Sequence, residues 1–196
     1  MKGKSRGFTL LETMVVVAIG IMIVGAAGPA VFQVMTGSER SHNRVTAVLQ
    51  VQRAGYWISN DALKSQVTDV GGGNGFRLTL KWSQVWPQKG KNDVITYVST
   101  EYEVKYTLEL DPLKLDYGEL TRHEKLETNI YDDAGQLVSS TNSNANTVVA
   151  QYLTAAEASF IGSILAVNVT ARFPLTGDRY VAEETRVYEI RPRWQQ

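Results

Sequence analysis

The sequence contains no cysteine, only two histidines, and equal numbers of basic and acidic residues, 20 of each. Without cysteine there is no disulfide framework, no thiolate metal site and no cysteine nucleophile. Without an excess of positive charge, general nucleic-acid binding is not indicated. A chain of 196 residues is long enough for a membrane anchor and one domain of about 130–160 residues, which can bury a core without disulfides.

Charge is also nearly missing from one segment, because Glu12 is the only charged residue between Phe8 and Gly28. These 21 residues match the roughly 20 helical residues that cross a bilayer core. The basic residues before them predict a cytoplasmic N-terminus, with the chain outside the cytoplasm from about Phe32 onward. An ordinary secretory signal is cut after its apolar run, whereas here the plausible processing point precedes it. An uncut signal anchor and a buried core helix are the alternatives.

Glu12 carries a functional expectation of its own. A carboxylate near the bilayer centre costs about 2.5–3.5 kcal/mol, so such a residue is expected to have a partner. The natural partner is the positive N-terminal amine of a neighbouring subunit. Cleavage between Gly7 and Phe8 would create that amine at Phe8. An inert, uncut anchor would have no reason to keep Glu12.

The hexapeptide Gly7-Phe8-Thr9-Leu10-Leu11-Glu12 resembles the class III signal of type IV pilins and type II secretion pseudopilins. The resemblance implies that a prepilin peptidase cuts after Gly7 and methylates the new N-terminus at Phe8. It also implies that Glu12 guides the subunit into a filament. Pro29 falls where pilin helices often carry a proline. About 30 residues carry this resemblance.

The same resemblance implies an α+β fold in which a long N-terminal helix packs on an antiparallel sheet. It implies a structural, non-enzymatic subunit that is first anchored in the inner membrane and then assembled into a pilus or pseudopilus. The expected partners are other pilin or pseudopilin subunits, the prepilin peptidase, the inner-membrane assembly platform and, before assembly, membrane lipid. Neither a cofactor nor nucleic acid is expected.

We therefore divide the chain into a leader (1–7), a membrane-spanning or filament-core helix (8–30), an amphipathic continuation of that helix (31–68) and a β-rich extracytoplasmic domain (76–196). Pro29 is expected to kink or locally break the helix, because it lacks a backbone N–H. A mostly apolar stripe at helical spacing is predicted to pack on the sheet. It consists of Val45, Leu49, Gln52, Tyr56 and Leu63, flanked by Val48, Val51, Ile58 and Ala62.

Beyond Gly75 the hydrophobic period changes from helical to two, which is typical of strands. The predicted strands are 76–82, 94–98, 102–110, 118–125, 164–173 and 185–190. Gly71 to Gly75 is expected to be a flexible turn. The Asn/Ser/Thr-rich run Ser139 to Thr147 is expected to be a surface loop.

Two later regions suggest a particular kind of subunit. Residues 51–61 resemble the corresponding region of J-type minor pseudopilins and W-type minor pilins, in which an aromatic or aliphatic helix face is followed by an aspartate, here Asp61. Residues 106–108 followed by 118–122 resemble their paired strands, which end in a leucine-any-arginine edge. This resemblance favours a minor, initiating or tip role over the major subunit.

The sequence offers few candidates for catalytic or metal-binding residues. His42 and His123 form no recognisable pair, and Ser163 lacks the flanking glycines of a nucleophile elbow. Carboxylates in turns can bind calcium, and Asp132 with Asp133 is the best of these weak candidates. Trp86 and Trp194 are read as partly buried edges of the core more readily than as a partner surface. The rival functions are a filament-borne adhesin or DNA-uptake pilin and an uncut, signal-anchored binding or enzymatic protein.

Overall fold

The computed structural model describes residues 9–71, 75–89, 95–110, 117–174 and 180–193, and these form one helix and seven strands. The elements are α1 (Leu10–Ala62), β1 (Val67–Val70), β2 (Arg77–Lys89), β3 (Ile95–Leu110), β4 (Gly118–Tyr131), β5 (Leu137–Ile161), β6 (Ile164–Phe173) and β7 (Ala182–Ile190). The predicted α+β class is confirmed. The calls on the leader, Gly7, Phe8 and Trp194 lie outside the described residues.

The chain divides into two compact units, residues 1–42 and residues 43–196. In the first unit, α1 is long and apolar enough to cross a membrane, and the most apolar part is not buried by the protein itself. The helix is continuous through Pro29, so the local break that we expected is wrong. One proline removes only one backbone hydrogen bond from a helix of 53 residues. The kink remains a prediction.

In the second unit the part of α1 from Asn43 onward packs on the sheet, but with the face opposite to the predicted stripe. Val45, Leu49, Tyr56 and Leu63 are 53%, 46%, 68% and 52% exposed. The buried face is instead made of small and polar residues, together with the predicted flanking residues Val51, Ile58 and Ala62: Asn43, Ala47, Gln50, Val51, Ala54, Gly55, Ile58, Asp61 and Ala62. Small side chains let the helix approach the sheet closely. The larger apolar residues lie on the opposite face, so hydrophobic periodicity predicted the wrong face to be buried.

The helix ends at Ala62, earlier than the predicted boundary at residue 68. The backbone N–H and the hydroxyl of Ser65 both bond to the carbonyl of Ala62, at 3.2 and 2.7 Å. A serine that bonds locally in this way competes with helix propagation. The chain then enters β1, a short strand that the sequence analysis missed.

The seven strands form one antiparallel sheet in chain order, β1 to β7. The predicted alternation in β3 is confirmed, because Val104 and Tyr106 are fully buried on the helix side. The two strands predicted at 94–98 and 102–110 are one strand, β3, which pairs with β2 from Ile95 to Thr107. The core lies between this side of the sheet and α1, and its largest buried side chains come from both.

The Asn/Ser/Thr-rich run is not a loop, which corrects our expectation. Ser139 to Thr147 belongs to β5 and pairs residue by residue with β4, from Ile130 opposite Ser139 to Arg122 opposite Thr147. Polar composition alone suggested a loop, but long-range pairing with β4 overrides that local preference.

Strand β5 changes its partner along its length. Its first half pairs with β4, and from Leu153 onward it pairs with β6. At the change Tyr152 has a φ of 60°, a left-handed conformation that is uncommon for a non-glycine residue. Its ring packs 4.9 Å from that of Phe173. Register shifts on both ladders near this point show the irregularity that lets one strand serve two neighbours.

Gly55 gives a first testable consequence of this close packing. A Cβ built there would lie 2.0 Å from the ring of Tyr188, whose hydroxyl donates to the carbonyl of Val51 at 3.0 Å. Glycine to alanine normally stabilises a helix interior by about 1 kcal/mol, but overpacking costs about 1–3 kcal/mol. We expect Gly55→Ala to lower the free energy of unfolding by up to about 2 kcal/mol, the overpacking cost less the gain in helix propensity.

Thermal unfolding of the full chain in detergent, followed by circular dichroism, measures this change. Gly37→Ala is the matched control, because Gly37 lies in the same helix with nothing within 4 Å of the added Cβ. It should not lower the unfolding temperature. If Gly55→Ala were as stable as Gly37→Ala, the close contact with Tyr188 would be contradicted.

Candidate functional site

The first turn of α1 holds the residues that the sequence analysis linked to assembly. Thr9 occupies the N-cap position, and its hydroxyl accepts a hydrogen bond from the backbone N–H of Glu12 at 3.4 Å. In return, the Glu12 carboxylate accepts from the backbone N–H of Thr9 at 3.1 Å and from its hydroxyl at 3.2 Å. This reciprocal arrangement is a capping box, which satisfies backbone donors that a helix start leaves unpaired.

The capping box changes the interpretation of Glu12 in the isolated subunit. We expected its partner to be the terminal amine of a neighbour, and a partner of that kind would have to compete with Thr9. The carboxylate is exposed, and it also sits at the positive end of the helix dipole. The start of α1 therefore presents an ordered, accessible negative group, directly after the predicted processing site, whose residues Gly7 and Phe8 lie outside the described residues.

A second cluster lies where α1 meets the centre of the sheet. Asp61 is 1% exposed, and one oxygen of its carboxylate, Oδ2, accepts two hydrogen bonds. The hydroxyl of Tyr106 on β3 donates at 2.6 Å, and the Nε–H of Arg122 on β4 donates at 2.7 Å. Three elements are therefore joined through one buried carboxylate. These are also the residues at the centre of the minor-subunit resemblance, which the fold brings together.

Each charged group of the cluster has a partner of opposite charge. The guanidinium of Arg122 also donates to the carboxylate of Glu124 at 2.7 Å and lies 5.3 Å from the ring centroid of Trp57. Burial, followed by the neighbouring charge of Asp61, raises the pKa of Tyr106 far above its ordinary value, so its hydroxyl remains a donor. The carboxylates of Asp61 and Glu124 raise the pKa of Arg122, although burial acts in the opposite direction. Removing one partner from such a buried ion pair strongly lowers the stability of the fold.

Other polar contacts between α1 and the rest of the second unit were not found from the sequence. The side chain of Asn43 donates to the carbonyl of Tyr180 at 2.9 Å. The side-chain oxygen of Gln50 accepts from the backbone N–H of Gln151, also at 2.9 Å. Each partner is more than 100 residues away in the chain, so local pattern carried no signal. An asparagine and a glutamine on one helical face, seven residues apart, was the only available hint.

The remaining candidate residues have structural surroundings. Asp132 closes the β4–β5 turn, where its Oδ1 accepts from the backbone N–H of Gln136 at 2.7 Å. Within the described part of the chain, no group of three or more acidic, histidine or cysteine side chains could hold a metal ion. The calcium expectation at Asp132 and Asp133 stays a prediction without further support.

The candidate histidine and serine lie in ordinary surface settings. His123 on the outer face of β4 contacts Asn146 at 2.8 Å and Thr107 at 3.2 Å, and His42 lies on an exposed position of α1. Ser163 lies in the tight turn between β5 and β6, not in a strand-to-helix turn of the kind that presents a catalytic nucleophile.

The tryptophans divide between the core and the surface. Trp82 is buried and stacks on Tyr102 at 5.0 Å, and Trp57 packs against the core. Trp86 is 41% exposed in the part of β2 beyond its pairing with β1. Its interpretation as a partly buried edge of the core stays a prediction.

The comparison with known families bears on the N-terminal segment. Residues 2–28 match the family described as the prokaryotic N-terminal methylation motif. Neither a comparison with curated proteins nor one with solved structures finds a match to the chain. The chain therefore carries a type IV pilin-like class III signal, which confirms the resemblance seen in the leader and first helical turn. The motif and the apolar helix that follows it suit membrane anchoring.

Proposed function

We propose that this protein is a structural, non-enzymatic subunit of a type IV pilus or a type II secretion pseudopilus. Prepilin peptidase would cut it between Gly7 and Phe8 and methylate Phe8. The subunit would lie in the inner membrane with a cytoplasmic N-terminus and then enter the filament through α1. The observation that carries the proposal is the methylation motif at residues 2–28. It coincides with an apolar, membrane-length segment of α1 in which Glu12 is the one acidic residue up to Gly28.

The outward face of α1 in the second unit supports assembly. Val45, Leu49 and Tyr56 form an exposed apolar stripe opposite the side that packs on the sheet. A row of exposed apolar residues on a soluble domain indicates an interaction surface. In a filament, neighbouring helices would cover this stripe, so the same helix would serve two interfaces with its two faces.

The buried cluster supports the finer proposal of a minor subunit. In the J-type and W-type resemblance, Asp61 is the aspartate after the helix face, Tyr106 belongs to the first of the paired strands and Arg122 is the edge arginine. The three side chains form one hydrogen-bonded unit. That contact would hold α1 against the sheet while the subunit is pulled from the membrane. An initiating or tip position in the filament is part of this proposal.

Processing is the direct test. The full chain is produced with and without a prepilin peptidase, and its intact mass and N-terminal sequence are measured. We expect a mature chain that begins with N-methylated Phe8 only when the peptidase is present. A catalytically inactive peptidase is the matched control. A chain that still begins at Met1 or Lys2 in both samples would overturn the proposal and favour a simple membrane anchor.

A further inference from the structure

The first half of β5 is an open edge of the sheet. Residues 137–148 pair with β4 on one side only, whereas pairing with β6 begins at Leu153. In the described part of the chain, no strand lies along the other side of this segment. Every residue from Leu137 to Val148 is exposed. The segment, which we call the β5 edge, spans about 40 Å at the usual rise per residue.

The β5 edge lacks the features that normally prevent a strand from pairing with another chain. No charged residue and no proline occurs between Ala134 and Ala156. Other edges of the same sheet carry such features: β1 has four residues including Asp69, and the outer part of β2 contains Pro87 and Lys89. The last strand, β7, carries three glutamates and an arginine. A long, uncharged edge strand offers its free backbone groups to another strand.

The composition of the β5 edge suits a second copy of itself. Its serine, threonine and asparagine side chains can both donate and accept hydrogen bonds, so each is complementary to an identical chain. With no charge present, antiparallel self-pairing brings no like charges opposite each other. A charged partner strand would find no opposite charge here.

One antiparallel register is favoured by the apolar residues near the two ends. Twofold pairing requires that the same residue of both copies lie opposite each other at the centre. If that residue is Ser143, Val138 of each copy lies opposite Val148 of the other. These two valines are 63% and 47% exposed, and the pairing would cover both.

We propose that the β5 edge is a homotypic interface, which joins two copies of this chain by antiparallel strand pairing centred on Ser143. The two sheets then continue as one sheet across the interface. The interface goes beyond the proposed filament function and does not depend on it, because a chain that is never processed would pair in the same way. In these two proposals, α1 and the β5 edge are separate surfaces through which copies of the chain associate.

Cysteine cross-linking tests the interface at its predicted centre, because the native chain contains no cysteine. Opposite residues of antiparallel strands have Cα atoms about 4.5–5.5 Å apart, which suits a disulfide. The full chain carrying Ser143→Cys, purified in detergent and oxidised with copper phenanthroline, should form a reducible dimer. Ser140→Cys is the matched control, since its two copies would lie about 20 Å apart along the strands.

A charge exchange tests the same pairing without a covalent bond. Ser143→Lys places two ammonium groups opposite each other and should weaken the dimer about fivefold or more in analytical ultracentrifugation. An equimolar mixture of Ser143→Lys and Ser143→Asp chains should restore it. Since Ser143 is exposed, both variants should fold, which circular dichroism verifies. A monomeric wild-type chain, or a disulfide no more abundant at Ser143→Cys than at Ser140→Cys, would overturn the proposal.

Discussion

Replacing Asp61 with asparagine should lower the free energy of unfolding of the sheet domain by about 3 kcal/mol. The change preserves the shape of the side chain, and the hydroxyl of Tyr106 can still donate to the remaining oxygen. Arg122, however, is 7% exposed and would lose the carboxylate that bonds its Nε–H at 2.7 Å. Removing one partner of a buried pair is strongly destabilising, and the guanidinium would keep only the partly exposed carboxylate of Glu124 as a charged partner.

The measurement is thermal unfolding of the full chain in detergent, in which 3 kcal/mol corresponds to roughly 6–12 °C for a chain of this length. Glu124→Gln is the matched control: Glu124 bonds the same guanidinium but is 30% exposed in its side chain, so its removal should cost less than about 1 kcal/mol. The double replacement Asp61→Asn with Arg122→Met should recover part of the loss. Equal effects of the two single replacements would contradict this account.

Replacing Glu12 with valine should largely prevent entry into the filament, while leaving cleavage after Gly7 intact. The change removes the carboxylate that a neighbour's terminal amine would meet. It also makes the apolar span more favourable in lipid, by up to about 2.5–3.5 kcal/mol near the bilayer centre. We expect the filament-bound fraction to fall at least about tenfold, the effect of 1.4 kcal/mol. Comparing sheared filaments with the membrane fraction measures it.

Thr9→Ala separates the charge of Glu12 from its role in the capping box. That variant keeps the carboxylate but loses the hydroxyl that caps the helix, which costs about 1 kcal/mol. Its filament-bound fraction should fall much less than that of Glu12→Val. If Glu12→Val chains entered filaments as readily as native chains, Glu12 would have no part in assembly, although the processing result would still stand.

The strands and the membrane-length helix could be predicted because each depends on residues that are close together in the chain. The apolar run from Phe8 to Gly28 and the alternation in β3 and β6 are local patterns. The same reasoning failed for β5, no part of which was predicted as a strand, and the clearest failure is its first half. Its polar composition resembles that of a loop, and only the facing residues of β4 make it a strand.

The orientation of α1 could not be read from hydrophobic periodicity. The most apolar stripe of its second half faces outward, whereas the sheet is met by Ala47, Ala54 and Gly55 together with asparagine, glutamine and aspartate. Those polar residues are tolerated because each finds a hydrogen-bond partner that is distant in the chain. A pattern that counts only apolar residues therefore predicts the wrong face of such a helix to be buried.

By itself the sequence determined that this protein carries a pilin-type signal, a membrane-length helix and a β-rich domain. These features follow from charge and hydrophobicity along short segments. Tertiary structure alone decided which face of α1 is buried, that Asp61 meets Tyr106 and Arg122, 45 and 61 residues away, and that β5 has an open edge. Each depends on contacts between segments far apart in the chain, and their energies appear only when those segments are brought together.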